Sequence, residues 1–380
     1  MQRYKAVGFP GTVASSLAIP KSTVLACLSF DSRRSNLCLG AAVYALPERI
    51  VPSMHSQASD AIIAPSTQSA PVQSILEAIG NTPLMRVDGI WAKLEFLNPS
   101  GSVKARIAKY IVERAEHEGL LKPGDTIIEA SSGNTGNAFS MVAAAKGYRM
   151  LVVMPRGMSR ERVAISKAFG AEVLLVGDFH VNEALAKAQE LGKQAGFFYP
   201  NQFASAWNVE ENYRWLGQEI LRQLPENLIP DALVVGIGTG GTLIGVGQAL
   251  RERNPAIKLF GVEPDESCTI ACGEVGKHLV EGIADGFVPE IVARHREMID
   301  GFISVKSQES IKEMRHLARY YGMFVGPSSG AHLLAAKRVQ QAHPELSNIV
   351  TVFCDEGEKY LSEHFLERAL AQEGQQHIGE

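Results

Sequence analysis

The segment Asn98–Arg106 reads NPSGSVKAR, and it places one lysine, Lys104, among serine, glycine and valine. Surface lysines usually stand among other charges, so this setting indicates a partly desolvated amine. Such an amine is suited to attack a carbonyl group. An apolar-flanked lysine can also be a snorkelling residue at a helix end, without a chemical role.

Two further loops of small residues follow the lysine segment. They are SSGNTG at Ser131–Gly136 and GTGGT at Gly238–Thr242. Backbone N–H groups in such loops can bind a phosphate where a helix begins. Each loop could instead be a simple strand-to-helix turn. A reactive amine and a phosphate site in one chain favour an aldehyde cofactor with a phosphate group, pyridoxal 5′-phosphate.

Composition restricts the class of protein. The 380 residues are 46% hydrophobic and 21% charged, as in an ordinary globular protein long enough for two domains. A net charge of -4 argues against a dedicated binder of nucleic acid or membrane surfaces. The five cysteines lack metal-ligand spacing, so we expect no metal site, free thiols and a reducing, cytoplasmic setting.

The first seventy residues differ from the remainder of the chain. They are poor in acids, and residues 58–71 are rich in Ser, Ala, Pro and Gln, which is typical of a linker. We expect residues 1–73 to be a disordered or loosely ordered extension. A transit-like leader for organelle targeting and a true start at Met54 are the alternatives.

From Ile75 onward, strand-like and helix-like segments alternate. This pattern predicts parallel sheets with right-handed crossovers, and it places the small-residue loops at the carboxyl ends of strands, where open α/β sheets bind ligands. Three predicted helices are tested below: Val181–Gly196, Glu210–Gln223 and Ala331–Ala342.

The order of the motifs resembles that of one family. IGNTPL at Ile79–Leu84, NPSGSVKAR, SSGNTG, NQF, GTGGT, EGIADGFVP, GPSSG and DEGEKYL stand in register with the cysteine synthase and cystathionine β-synthase group of pyridoxal-phosphate enzymes. This resemblance implies fold type II: two open parallel-sheet α/β domains with the cofactor in the cleft between them. It assigns residues 74–97 and 209–370 to a large cofactor-binding domain, 98–208 to a small substrate-binding domain and 371–380 to a tail. It also implies a homodimer.

Site residues carry over from the family one by one. Lys104 resembles the Schiff-base lysine that later carries a proton, Asn134 looks like the partner of the pyridoxal 3′-oxygen, and Ser328 is similar to the residue facing the pyridine nitrogen. The resemblance gives the phosphate to Gly238, Thr239, Gly240, Gly241 and Thr242. It gives the substrate α-carboxylate to Ser131, Ser132, Asn134, Thr135 and Gln202.

The implied reaction is β-replacement on an O-activated L-serine, with O-acetylserine and sulfide giving L-cysteine. Other nucleophiles are the alternatives: thiosulfate, homocysteine or an amine. A non-catalytic binding protein that kept the fold is the alternative of another class, and it predicts loss of Lys104 or of SSGNTG. Neither is lost.

Two departures from the family pattern affect the prediction. Trp215-Leu216 stands where many members have a Thr-Thr pair, which puts one phosphate contact in doubt. Glu281 lies near the position of an arginine in relatives that use phosphoserine. A carboxylate there would repel a phosphate leaving group, so O-acetylserine is the favoured donor.

Overall fold

The computed structural model describes residues 71–178 and 181–365. Most of the predicted extension 1–73 and all of the tail 371–380 therefore lie outside the described residues.

Ten strands form in the described part of the chain: β1 Leu84–Val87, β2 Ile90–Leu94, β3 Thr126–Ala130, β4 Arg149–Pro155, β5 Glu172–Val176, β6 Phe197–Phe198, β7 Ala232–Gly236, β8 Lys258–Pro264, β9 Gly301–Val305 and β10 Ile349–Phe353. The α-helices there are α1 Lys104–His117, α2 Asn134–Lys146, α3 Arg160–Ala168, α4 Asn182–Leu191, α5 Ala206–Glu211, α6 Gln218–Gln223, α7 Gly241–Arg253, α8 Glu290–Arg294, α9 Ser307–Tyr321 and α10 Pro327–Ala342. Across these residues, every helix is too short or too polar to cross a membrane.

The strands form two sheets. The larger has the order β1-β2-β10-β7-β8-β9, and the smaller has the order β5-β4-β3-β6. All neighbours pair in parallel except β1, which runs antiparallel to β2 at one edge. Every residue of β3 and β10 is buried, because helices cover both faces of a parallel sheet. The predicted α/β fold is therefore confirmed, with a short antiparallel hairpin added at the edge.

Three predicted helices differ from the structure in their bounds. The helix predicted to reach Gly196 ends at Leu191, because the chain must turn to place Phe197–Phe198 beside β3 as a strand that the sequence pattern missed. The helix predicted over Glu210–Gln223 contains a π-turn at Asn212–Gly217. The helix predicted from Ala331 begins at Pro327, since proline is favoured in a first helical turn.

A buried ion network holds the Lys104 segment against the larger sheet. Arg106 is fully buried and donates to Glu95 at 2.6 and 2.9 Å and to Glu219 at 2.8 and 2.7 Å. Lys93 also contacts Glu219 at 2.9 Å. Asn98 donates to Glu95 and accepts from the N–H of Gly80, at 2.6 and 2.9 Å. The start of α1 is thereby fixed to the turn that follows β2 and to α6.

The expectation that all cysteines are free thiols is wrong for Cys268 and Cys272. They form a disulfide, because the turn after β8 brings their Cα atoms to 5.2 Å and the N–H of Cys272 bonds to the Cys268 carbonyl. Cys354 is a free thiol. Cys27 and Cys38 lie outside the described residues.

Candidate active site

One cavity brings together nearly all of the predicted site residues. Lys104, Ser131, Ser132, Asn134, Thr135, Gln202, Gly238, Thr239, Gly240, Thr242 and Ser328 line it. Gly241 does not, because it begins α7 behind the loop, where a Cβ would lie 2.1 Å from Asn208 Oδ1. The contacts assigned to these residues with cofactor and substrate remain predictions.

Lys104 is the first residue of α1 and is half-buried. The loop before it is fixed to the segment after β10: Val103 N–H donates to the Cys354 carbonyl at 2.8 Å, and Glu356 N–H donates to the Gly101 carbonyl at 3.1 Å. A Cβ on Gly101 would lie 2.0 Å from the Glu356 carboxyl carbon, and its φ of 64° also favours glycine. This close contact between two loops directs the Lys104 side chain into the cavity.

The SSGNTG turn is braced from within. Ser131 Oγ accepts from the N–H groups of Gly133 and Gly136 at 3.0 and 2.9 Å. Thr135 donates to Gln202 Oε1 at 2.7 Å, and Gln202 Nε2 donates to the Ala130 carbonyl at 2.9 Å. Ser131, Thr135 and Gln202 are therefore held in place by these hydrogen bonds.

Asn134 connects the smaller sheet to the last strand of the larger one. Its Nδ2 donates to Asp355 Oδ2 at 2.8 Å, and the Tyr360 hydroxyl donates to the same oxygen at 2.6 Å. Asn134 Oδ1 is buried without a hydrogen-bond partner among the described residues. The amide thus presents an unused acceptor at a cavity wall, which is a position where a ligand donor is expected.

The GTGGT loop approaches neighbouring backbone closely. A Cβ on Gly238 would lie 2.5 Å from the Gly282 carbonyl oxygen, and Gly240 has a φ of 85°. Asn208 Nδ2 donates to Thr239 Oγ1 at 2.9 Å, which fixes the loop from behind. The 13-residue helix α7 then begins at Gly241. Its free N–H groups and positive end are suited to a phosphate.

Ser328 lines the cavity from the first turn of α10, and His332 follows one turn later. His332 Nε2 accepts from Gly236 N–H at 2.7 Å, and Nδ1 lies 2.7 Å from the Val352 carbonyl. Burial lowers the pKa of His332 to about 4, so the ring is neutral. Burial also raises the pKa of the neighbouring Cys354 thiol to about 12. Neither group therefore carries a charge at neutral pH.

Two carboxylates, Glu281 and Asp285, also line the cavity. Glu281 lies 3.9 Å from Arg162 Nη1 and 4.0 Å from His364 Nε2. Burial pushes the pKa of Glu281 upward, but His364 and Arg162 outweigh it and lower the pKa. Burial raises the pKa of Asp285 to about 6, against the opposing charge of Lys104. The two acids therefore differ in basicity.

The Trp215-Leu216 pair, which stands where the family pattern has Thr-Thr, lies away from the cavity. Leu216 is fully buried in the core beside β7, and Trp215 packs edge-on against Tyr110 with ring centroids 5.1 Å apart. Neither residue lines the cavity. Asn208 and the loop backbone instead support Thr239.

Four titratable residues of the cavity were given no role from the sequence: Arg162, Asp285, Cys354 and Tyr360. Asp285 lies in EGIADGFVP, and Cys354 and Tyr360 lie in or beside DEGEKYL, so those motifs carried an unused signal. Arg162 stands in the charged run RER and reads as a surface residue. Its guanidinium is in fact buried over the Tyr360 ring, 4.7 Å from the centroid.

Comparison with known proteins explains this arrangement. The model of a family described as pyridoxal-phosphate dependent enzyme matches residues 75–355. The chain belongs to this family. It is 40% identical over 301 residues to the cysteine synthase of Staphylococcus aureus, covering 77% of this chain and 96% of that protein.

Two solved structures extend the comparison. The O-acetylserine-dependent cystathionine β-synthase of Helicobacter pylori is 36% identical, with a TM-score of 0.73, over 78% of this chain and all (100%) of that one. An O-ureido-L-serine synthase is also 36% identical, with a TM-score of 0.71, over 80% and 100% of the two chains. The predicted membership of the cysteine synthase group and the fold type II architecture are confirmed. The chain is a cysteine synthase-like enzyme that depends on pyridoxal 5′-phosphate.

The residues present fit this cofactor. The glycine loop allows close approach of a phosphate, and the unpartnered Asn134 Oδ1 offers an acceptor on the same cavity. The Lys104 amine lines that cavity as well. These three features are the ones that a phosphorylated aldehyde with a ring hydroxyl requires.

Proposed function

We propose that the enzyme catalyses β-replacement on an O-activated L-serine, with O-acetylserine as the donor and sulfide as the nucleophile, to give L-cysteine. The observation that carries this proposal is the convergence of Lys104, the SSGNTG turn and the GTGGT loop on one cavity. The 40% identity to a cysteine synthase over nearly all of that protein supports the same reaction class.

Each element of the site has a distinct part in this reaction. Bound pyridoxal phosphate supplies the electron sink that makes the substrate Cα–H bond acidic. The Lys104 amine takes and returns the Cα proton, and it is held close by the start of α1. The SSGNTG turn binds the α-carboxylate at the positive end of α2. Ser328 offers a hydroxyl, not a carboxylate, to the ring nitrogen.

The charge of the cavity wall favours an uncharged ester as the leaving group. Glu281 and Asp285 both line the cavity, so a phosphate group there would meet two carboxylates. The positive charge of Arg162 partly neutralises the negative charge of Glu281. O-acetylserine is therefore the expected donor and O-phosphoserine a poor one.

A second nucleophile class is kept as an alternative. The chain is as similar to an O-ureido-L-serine synthase as to a cystathionine β-synthase, at 36% identity each. These proteins are named for different products, so identity does not choose between sulfide and another nucleophile. We further propose a cytoplasmic homodimer, with residues 98–208 as the smaller, substrate-binding domain.

The test is a two-step assay on the enzyme loaded with pyridoxal phosphate. O-acetylserine is added first and acetate release is followed; sulfide, thiosulfate, homocysteine and amines are then compared for product. We expect acetate release in wild type, its loss in Lys104→Ala, and normal behaviour in the exposed control Lys122→Ala. Turnover by Lys104→Ala at the wild-type rate would contradict the role of Lys104 as the proton carrier. Absence of acetate release by the wild-type enzyme would contradict O-acetylserine as the donor.

A further inference from the structure

Asp285 is a carboxylate on the cavity wall with no internal partner. It lines the cavity together with Lys104 and is half-buried. No hydrogen bond or ion pair joins it to another described residue. Its Oδ2 lies beside the first glycine of the phosphate loop, 3.8 Å from where a Gly238 Cβ would be. A desolvated, unpartnered acid facing a reactive amine is a characteristic of functional sites.

The neighbouring acid is not equivalent. Glu281 is opposed by Arg162 and His364, at 3.9 and 4.0 Å, and its pKa is lowered. It therefore holds its charge and binds a proton weakly. Asp285 has its pKa raised to about 6, so it takes up a proton more readily. The stronger base of the pair is the one without a partner.

The other titratable groups of the cavity are already engaged or uncharged. The Tyr360 hydroxyl donates to Asp355, and burial keeps the Cys354 thiol protonated. His332, one turn after Ser328 in α10, is neutral, with both ring nitrogens in contact with backbone groups. Lys104 is assigned to the Cα proton. Because Glu281 binds a proton weakly, Asp285 is the stronger of the two remaining bases among the described groups of the cavity.

We propose that Asp285 is the general base for the second substrate and that it lets the site use neutral nucleophiles that carry a transferable proton, in addition to hydrosulfide. This inference rests on the proposed function. The nucleophile atom bonds to the substrate β-carbon while its bond to hydrogen breaks, and the electron pair of that bond stays on the nucleophile. The proton passes to an Asp285 carboxylate oxygen and then to solvent. Acetate has left before this step with the electron pair of the β-carbon–oxygen bond, after Lys104 took the Cα proton, and Lys104 returns that proton to Cα as the nucleophile adds.

Hydrosulfide provides an internal control, because it is already an anion and needs no base. The experiment compares Asp285→Asn with Asp265→Asn, which removes an exposed aspartate at the start of the same loop. Each loaded enzyme receives O-acetylserine, and three quantities are measured. They are acetate release before any nucleophile is added, kcat/KM for hydrosulfide at alkaline pH, and kcat/KM for a neutral thiol, 2-mercaptoethanol.

We expect Asp285→Asn to lower kcat/KM for the neutral thiol about 100-fold, within the range for loss of a general base. Because neither acetate release nor addition of hydrosulfide calls on the base, the ratio of kcat/KM for the thiol to kcat/KM for hydrosulfide should fall in this variant. Asp265→Asn should behave as wild type in all three. Asp285→Glu should restore part of the thiol rate, which separates the chemistry of the carboxylate from a folding defect.

The pH profile is an independent readout. Wild-type kcat/KM for the thiol should rise as Asp285 ionises, with a limb near pH 6 that Asp285→Asn abolishes. Lys104, Glu281 and Arg162 also face this part of the cavity and are unchanged in the variant. If Asp285→Asn lowers kcat/KM equally for the thiol and for hydrosulfide, or lowers neither, Asp285 is not the general base. If wild type releases no acetate, the proposed function fails, and this inference fails with it.

Discussion

Asn134 Nδ2 donates a hydrogen bond to Asp355 Oδ2 at 2.8 Å, joining residues that are 221 positions apart. One residue opens α2 behind the smaller sheet, and the other follows β10 of the larger sheet. The Tyr360 hydroxyl binds the same oxygen. The candidate substrate turn and the last motif of the chain are thus a single hydrogen-bonded unit, although their sequences are far apart.

The first prediction concerns the support of the phosphate loop. Asn208 Nδ2 donates to Thr239 Oγ1 at 2.9 Å and to the Gln202 carbonyl at 2.8 Å. Asn208→Ala removes both bonds, so we expect cofactor affinity to fall about tenfold. Titration of the apoprotein with pyridoxal phosphate measures the change, with Asn182→Ala on the exposed start of α4 as the control. Unchanged affinity would show that the loop holds its shape without Asn208.

The second prediction concerns the buried ion network. Arg106→Met leaves Glu95 and Glu219 buried without their cation, so we expect a loss of about 3–5 kcal/mol in the free energy of unfolding. Urea unfolding measures it. The control is Arg114→Met, which breaks a partly exposed contact to Glu118 in the same helix and should cost less than about 1 kcal/mol. Similar losses in both variants would contradict the argument from burial.

The third prediction is a pH dependence of stability. Glu129 is fully buried, and burial raises its pKa to about 8 despite N–H donors from Ala130 and Gln202. The pKa in the folded state thus lies above the ordinary value of a glutamate carboxyl group in the unfolded chain. The contribution of this carboxyl group to stability is full below the unfolded pKa and is lost as pH rises through 8.

Glu129→Gln cannot ionise, so it should gain stability over wild type as pH rises from 5 to 9. Unfolding midpoints at the two pH values measure the difference between the proteins. A constant difference across this range would mean that Glu129 does not change protonation on unfolding.

The fourth prediction concerns the choice of donor. Glu281→Arg replaces a carboxylate with a phosphate partner beside Arg162. We expect the ratio of kcat/KM for O-phosphoserine to that for O-acetylserine to rise about tenfold or more, as one charge-assisted hydrogen bond allows. Glu274→Arg, an exposed change in the same segment, controls for net charge. If the two variants give the same ratio, Glu281 lies outside the donor site.

The fifth prediction concerns the beginning of the folded core. Leu76 and Ile79 are buried against α1 and α2, and Ser74 Oγ accepts from Leu76 N–H at 3.2 Å. A chain beginning at Ser74 should therefore keep wild-type unfolding and cofactor content. A chain beginning at Gly80 loses both apolar side chains and should be less stable by about 3 kcal/mol or more. If the chain beginning at Ser74 is less stable than wild type, residues before Ser74 make further stabilising contacts.

The sequence by itself determined the α/β class, most strand positions and the residues of the three loops. β7 and β10 are legible in the sequence as short apolar runs, because a parallel strand covered on both faces is buried along most of its length. The loops were recognisable for a similar reason. Their glycines allow the backbone to come close to a neighbouring group, and their serines and threonines supply hydrogen bonds, so both needs are visible in the local sequence.

Only the tertiary structure decided the charge of the cavity wall. Arg162 looks like a surface residue of α3, yet it is buried against Tyr360, and Asp285 differs from Glu281 only through what lies near each one. Likewise, β6 exists because Phe197–Phe198 pairs with β3 some seventy residues earlier. Burial and electrostatic partners come from contacts between distant segments, and the pKa values that govern the chemistry depend on those contacts.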